Sequence, residues 1–194
     1  FRHNITALQR DVEENRLLIG KILIDKILSK KEVTILSEVG FKIFSQWDED
    51  GIIQYLLSKI VINDDTFVEF GVEDYTESNT RFLLMNNNWK GLIIDNSQEN
   101  IDRIRNSDIY WRYDLTAIKA FITKDNINDL IKSHGISGDI GLLSIDIDGN
   151  DYWIWNAIQI ISPRIVICEY NSIFGYKEAV SIPYHESFNR TKTH

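Results

Sequence analysis

The chain of 194 residues carries 21 Lys and Arg against 29 Asp and Glu, a net charge of −8. Hydrophobic residues make up 43% and charged residues 26%, ordinary for one globular domain with a sizeable core. The absence of a clustered basic run argues against nucleic acid as the main partner, and no apolar stretch reaches the roughly 18–20 residues that span a bilayer.

Residues 4 to 29 read as one long helix in which Ile5, Leu8, Val12, Ile19 and Ile22 follow heptad-like spacing and Asn15 interrupts the seam. Two readings stand open: an amphipathic helix packed on its own domain, or a self-association helix giving a homo-oligomer, with Asn15 setting the register. A second helix is predicted over Glu49 to Ile60, where Ile52, Ile53, Leu56, Leu57 and Ile60 share a face. The expected division is a helical extension over 1–40 and a main domain over 41–194.

Strands and helices then alternate. Strands are predicted near 66–70, 91–95, 108–113, 140–147 and 164–170, and helices near 77–87, 97–105, 125–134 and 150–160. This order predicts an α/β fold with a doubly wound, mostly parallel sheet. The runs Gly91-Leu-Ile-Ile, Ile140-Gly-Leu-Leu-Ser-Ile and Arg164-Ile-Val-Ile-Cys are continuously apolar, as strands covered on both faces should be. The one cysteine, Cys168, ends such a run and reads as a small buried hydrophobe. With no disulfide framework, a reducing cytoplasm is expected. From Ser181 to His194 no strand pattern is visible.

The chemistry collects at strand ends. The first strand closes on Glu69-Phe-Gly-Val-Glu-Asp74 and lacks the G-x-G-x-x-G that admits a pyrophosphate, which counts against a nicotinamide dinucleotide. An acid followed by one close-approach glycine, Gly71, suits S-adenosylmethionine, whose sulfonium and amine favour carboxylates. Asp95 closes the second strand where an acid binds ribose hydroxyls in nucleotide folds. Its bland alternative is a helix cap, a task open also to Asn96 and Ser97. Asp114 is expected to end the third strand and accept from the adenine amino group, with Leu115 against the ring; a simple turn aspartate is the equal alternative. Asp146, Asp148 and Asp151 crowd the end of the fourth strand, where like charges raise a pKa unless a cation is near. A calcium loop is discounted on spacing. The favoured version has Asp151 or Asn150 capping the next helix, with Asp146 and Asp148 facing the crevice. Glu169 and Asn171 share strand parity at the end of the fifth strand, so a rim of Asp146, Asp148, Glu169 and Asn171 is expected to place the acceptor, directly or through a divalent metal.

Ser45-Gln-Trp-Asp-Glu-Asp-Gly51, Val68-Glu-Phe-Gly71, Ser78-Asn-Thr80, Asn88-Trp-Lys-Gly-Leu-Ile-Ile-Asp95, Ser144-Ile-Asp-Ile-Asp-Gly149 and Cys168-Glu-Tyr-Asn171 occur in this order. Together, over about residues 41 to 184, they resemble the FkbM-like S-adenosylmethionine-dependent methyltransferases, often encoded with surface-polysaccharide or natural-product pathways. The resemblance implies a class I methyltransferase sheet acting on a small-molecule or sugar acceptor, with cofactor contacts at Glu69, Gly71, Asp95, Asp114 and Asp146. Gln46 would approach from the preceding helical element, and Asn79 and Asn96, in or beside these motifs, join the expected cofactor set. His185 and His194 fall where such enzymes often cover the substrate, and either would serve as a base. Glu73 replaces a common second glycine, and the usual C-terminal β-hairpin has no counterpart in the pattern. The rival from another class is a cofactor-binding assembly module of the same fold without catalysis.

Overall fold

In the computed structural model the described residues are 2–175 and 177–188, with side chains described from residue 8 onward. His194 lies outside them. The chain forms two compact units: residues 1–61 with 76–89, and residues 62–75 with 90–194. A boundary at residue 40 therefore falls inside the first unit.

The first unit holds α1 (Arg2–Leu28), α2 (Glu49–Leu57) and α3 (Arg81–Asn87). Gly20 lets α1 approach α3 closely; a Cβ there would lie 2.5 Å from the Phe82 ring. Ile43, Phe44 and Phe82 form the buried cluster, with Leu17, Leu23 and Ile24 of α1 packed against it. Arg81 pairs with Glu13 and lies 5.0 Å above the Phe44 ring.

The second unit is the sheet, with strands β1 (Thr66–Phe70), β2 (Lys90–Asp95), β3 (Leu115–Lys119), β4 (Gly138–Ile145) and β5 (Ile161–Cys168). All pairings are parallel in the order β3-β2-β1-β4-β5. The fold is α/β and Rossmann-like, with a long N-terminal helix. Its remaining helices are α4 (Gln98–Arg105), α5 (Asp108–Arg112), α6 (Ile127–Ser133) and α7 (Asp151–Ala157). The connections β2 to β3 and β4 to β5 run in opposite directions across the sheet, so right-handed crossovers put α4 and α7 on opposite faces. Val68, Phe70, Leu92 and Ile94 of the sheet form one buried cluster with Ile127 and Ile131 of α6 and Ile154 of α7.

Four strands fall where the pattern places them; the third does not. Residues 108–112 are α5, not a strand. Ser107 precedes the helix, Ile109 is buried and Trp111 is 73% exposed. The true β3 begins at Leu115, so Asp114 and Leu115 stand at the amino end of this strand. The Asp114 carbonyl accepts from the Gly91 N–H at the start of β2. Their placement at a carboxyl strand end is thus corrected, and the ground for an adenine contact goes with it.

No helix among the described residues is long and apolar enough to cross a membrane.

Candidate functional site

The chain leaves β1 for β2 on one side and later returns to place β4 on the other, so the strand order reverses at β1. In open parallel sheets the ligand crevice lies at the carboxyl ends of the strands at such a point. Two loops meet here. Gly71 follows β1 at φ +71°, and a Cβ on it would lie 1.6 Å from the Asp146 carbonyl oxygen at the end of β4. The close approach that demands glycine is therefore between main chains. The turn continues with Glu73 at φ +47° and Tyr75 at φ +63°. Glu73 thus occupies the left-handed conformation that a second glycine would adopt without strain. Tyr75, wholly buried, anchors the turn.

Asp95 ends β2 and is 9% exposed. Its Oδ2 accepts from the Glu73 N–H at 2.9 Å, and its Oδ1 accepts from the Ser97 N–H at 2.7 Å and from Asn100 Nδ2 at 3.3 Å. The cap of α4 falls to Ser97, whose Oγ accepts from the Asn100 N–H. Asp95 consequently bridges the turn after β1 and the start of α4, with its orientation fixed before any ligand arrives. Asn96 beside it is exposed. Glu69 is 4% exposed in β1 and accepts a hydrogen bond from Ser144 Oγ of β4 at 3.2 Å.

On the other side, Asp146, Asp148 and Glu169 each bring one carboxylate oxygen within 4.8 Å of the other two. Asp148 holds this position through a left-handed φ of +57°, a conformation that aspartate tolerates better than most residues. Removal from water at the strand ends, then the negative charges of Glu169, Asp151, Asp148 and Glu69, push the Asp146 carboxyl up to about 7. The Asp146 side chain nevertheless remains open to solvent, so bulk water screens part of this effect. The same surroundings push the Cys168 thiol up to about 11, desolvation first and then Asp151, Asp146 and Glu169. Cys168 is half-buried rather than buried; its thiol stays protonated. Such a cluster fits a cation: a substrate ammonium, a sulfonium or a divalent metal.

Asp151 is not part of this cluster. Its carboxylate accepts from the N–H groups of Ile147 at 2.9 Å and Gly149 at 2.8 Å, folding the loop that presents Asp148. The expected side-chain cap on α7 is not formed: Asn150 takes the N-cap position without such a bond, and Asp151 ties the preceding loop instead. Asn171 departs from expectation. The strand ends at Cys168, and Asn171 Oδ1 instead caps a short 3-10 turn at Ser172–Phe174 by accepting from the Ile173 N–H at 3.0 Å. Strand parity with Glu169 therefore does not apply.

His185 is exposed, with its main chain tied to the β4–α7 loop. Its carbonyl accepts from Asn150 Nδ2 at 2.9 Å, and Trp153 Nε1 donates to the neighbouring Ile182 carbonyl at 2.7 Å. The Ser187 hydroxyl lies 3.3 Å from His185 Nδ1. The segment thus crosses the loop that carries the rim.

Gln46 and Asn79 belong to the first unit, the former exposed and the latter half-buried. Gln46 sits in a loop organised by a residue that sequence reasoning missed. Asp50 is 1% exposed, and its Oδ2 accepts from the N–H groups of Ile43, Phe44 and Ser45 at 2.7, 2.7 and 2.9 Å, and from Ser45 Oγ at 3.0 Å. Burial pushes this carboxyl above its usual range, opposed by those donated bonds. Gly51 completes the loop, since a Cβ there would lie 2.3 Å from the Val39 carbonyl. Asn100 and Ser144 were missed likewise; only the acid-polar pairing of strand ends hinted at them.

Comparison with models of known protein families and with curated protein sequences gives no match.

Proposed function

We propose that the second unit binds S-adenosylmethionine and that the protein is a methyltransferase acting on an oxygen of a small-molecule or sugar acceptor. The observation that carries this reading is the fixed Asp95 carboxylate at the reversal point, beside a turn that offers no phosphate cradle. The residues fit the group. At the carboxyl ends of β1, β2 and β4 and in the first turns after them, the charged side chains are acidic: Glu69, Glu73, Asp74, Asp95, Asp146 and Asp148. Only β3 ends on a cation, Lys119.

Asp95 would hold the ribose hydroxyls, with Glu69 and Asp146 toward the cationic end. When bound, the cofactor supplies a methyl group on a positively charged sulfur. The contribution of this chain is to orient the acceptor at Asp148 and Glu169, directly or through a divalent ion, and to take its proton on a rim carboxylate or His185. Asp146 is the rim carboxylate best suited to accept a proton, because desolvation and the neighbouring carboxylates raise its proton affinity. Holding two reactants in line is where most of the rate should arise. A cytoplasmic setting and a place in surface-polysaccharide or natural-product synthesis belong to the same reading, through its resemblance to FkbM-like enzymes.

Titration calorimetry tests it. S-adenosylhomocysteine should bind and NAD should not, and Asp95→Ala should weaken binding by about 1–3 kcal/mol. NAD binding without S-adenosylhomocysteine binding would overturn the proposal. Cofactor binding without turnover on any acceptor would instead assign the chain to the assembly-module reading.

A further inference from the structure

Helix α1 carries two apolar stripes, and its own unit uses only one. Gly20 and Ile27 are buried and Leu17 and Ile24 partly so, which defines the inner face. Leu8, Val12, Ile19 and Ile22 lie between 44% and 68% exposed on a second stripe, with exposed Asn15 among them. At 100° per residue the two stripes are about 140° apart, so occupying one leaves the other open.

The outer stripe has the spacing of a coiled-coil seam. Val12 and Ile19 take the a positions and Leu8, Asn15 and Ile22 the d positions, with Ile5 continuing the a series in sequence. The a positions are β-branched and Leu8 holds the first d position, the combination found in parallel two-stranded coils, while Asn15 and Ile22 take the other two d positions. The flanking charges agree. Asp11 falls at g and Arg16 at the e position of the next heptad, the pair that meets across a parallel, in-register dimer. Both are exposed, and the Arg16 guanidinium lies 6.0 Å above the Phe44 ring at the border of the stripe. At the next g–e level Leu18 is exposed beside the seam, while Leu23 is already packed against the inner cluster. Asn15, costly against an apolar partner, meets its own copy at the same level in this arrangement.

We infer that the outer face of α1 docks on a second copy of this chain as a parallel, in-register two-stranded coiled coil, with Asp11 of each copy facing Arg16 of the other. The inference is independent of the methyltransferase reading.

Sedimentation equilibrium on the whole chain tests it over about 1–200 µM, where mass action must raise a dimer fraction. Ile19→Glu should raise the dissociation constant at least about a hundredfold, because both copies then bury a carboxylate. Its circular dichroism should be unchanged, since the stripe is exposed in the monomer. Asp11→Arg should weaken the dimer, and adding Arg16→Asp should restore it. In a Cys168→Ser background, Leu8→Cys should form a disulfide-linked dimer under mild oxidation. A monomer at every concentration, including one that co-sediments with lipid vesicles, would overturn the inference. So would a dimer indifferent to Ile19→Glu. Cross-linking only between Leu8→Cys and Ile22→Cys chains would show an antiparallel pair and overturn the stated geometry.

Discussion

Replacing Asp146 with asparagine should make the protein more stable, and only above mildly acidic pH. An ordinary aspartate titrates at 3.8, and Asp146 is pushed up to about 7 by desolvation and by Glu169, Asp151, Asp148 and Glu69. Between those values the folded chain keeps a proton that the unfolded chain has released. Stability contributed by this group therefore falls as pH rises through that window and is level above about 7. At 1.36 kcal/mol per pH unit the full interval is worth roughly 4 kcal/mol. Because the side chain is open to solvent, screening should leave about 1–2 kcal/mol of it. Asp146→Asn removes the titration while keeping the shape. Its gain should be small at pH 4.5 and reach about 1–2 kcal/mol at pH 8, a rise in melting temperature of roughly 3–6 °C for a chain of this length. Urea unfolding of both proteins at the two pH values measures it. An asparagine variant no more stable than wild type at pH 8 would refute the crowding argument. An equal gain at both pH values would show that the effect has nothing to do with charge.

Gly71→Ala should destabilise the protein by about 4 kcal/mol or more, seen as loss of the cooperative thermal transition, because the new methyl overlaps the Asp146 carbonyl. Asp50→Ala leaves the buried N–H groups of Ile43, Phe44 and Ser45 without their acceptor and should cost at least about 3 kcal/mol in urea unfolding. Asp148→Asn and Glu169→Gln should each lower turnover at least about tenfold, or 1.4 kcal/mol, with cofactor affinity in calorimetry much less affected. In the same assay, activity lost to a chelator and restored by Mg²⁺ would assign the rim to a metal.

The sheet was legible because its strands are short apolar runs bounded by glycine and acids, and four of the five match within a few residues. The third was misplaced because Ile109, Tyr110 and Trp111 look β-forming by residue type. Their real signal is one buried residue on a single helical turn after Ser107. The true strand, Leu115-Thr-Ala-Ile-Lys, alternates in burial at the sheet edge and has too little apolar character to stand out. Asp95, Asp146, Asp148 and Glu169 were readable as strand-end acids. Asn171 was not, because parity holds only while the backbone stays extended. Asp50 and Asp151 escaped for a different reason: each accepts N–H groups whose positions exist only once a loop has folded. Nor does local pattern reveal that α3, framed by β1 and β2 in the chain, belongs to the unit of α1.

The contact between Gly71 and the Asp146 carbonyl limits how this protein can be re-engineered or diversify. With no space between the two main chains, neither loop can be lengthened, shortened or shifted at that point without moving the other. On the methyltransferase proposal, a change of acceptor is therefore unavailable by re-spacing the two loops there. It must come from exchanging side chains that take no part in the contact, with Asp148 and Glu169 the nearest at hand, while the frame beneath them is inherited unchanged.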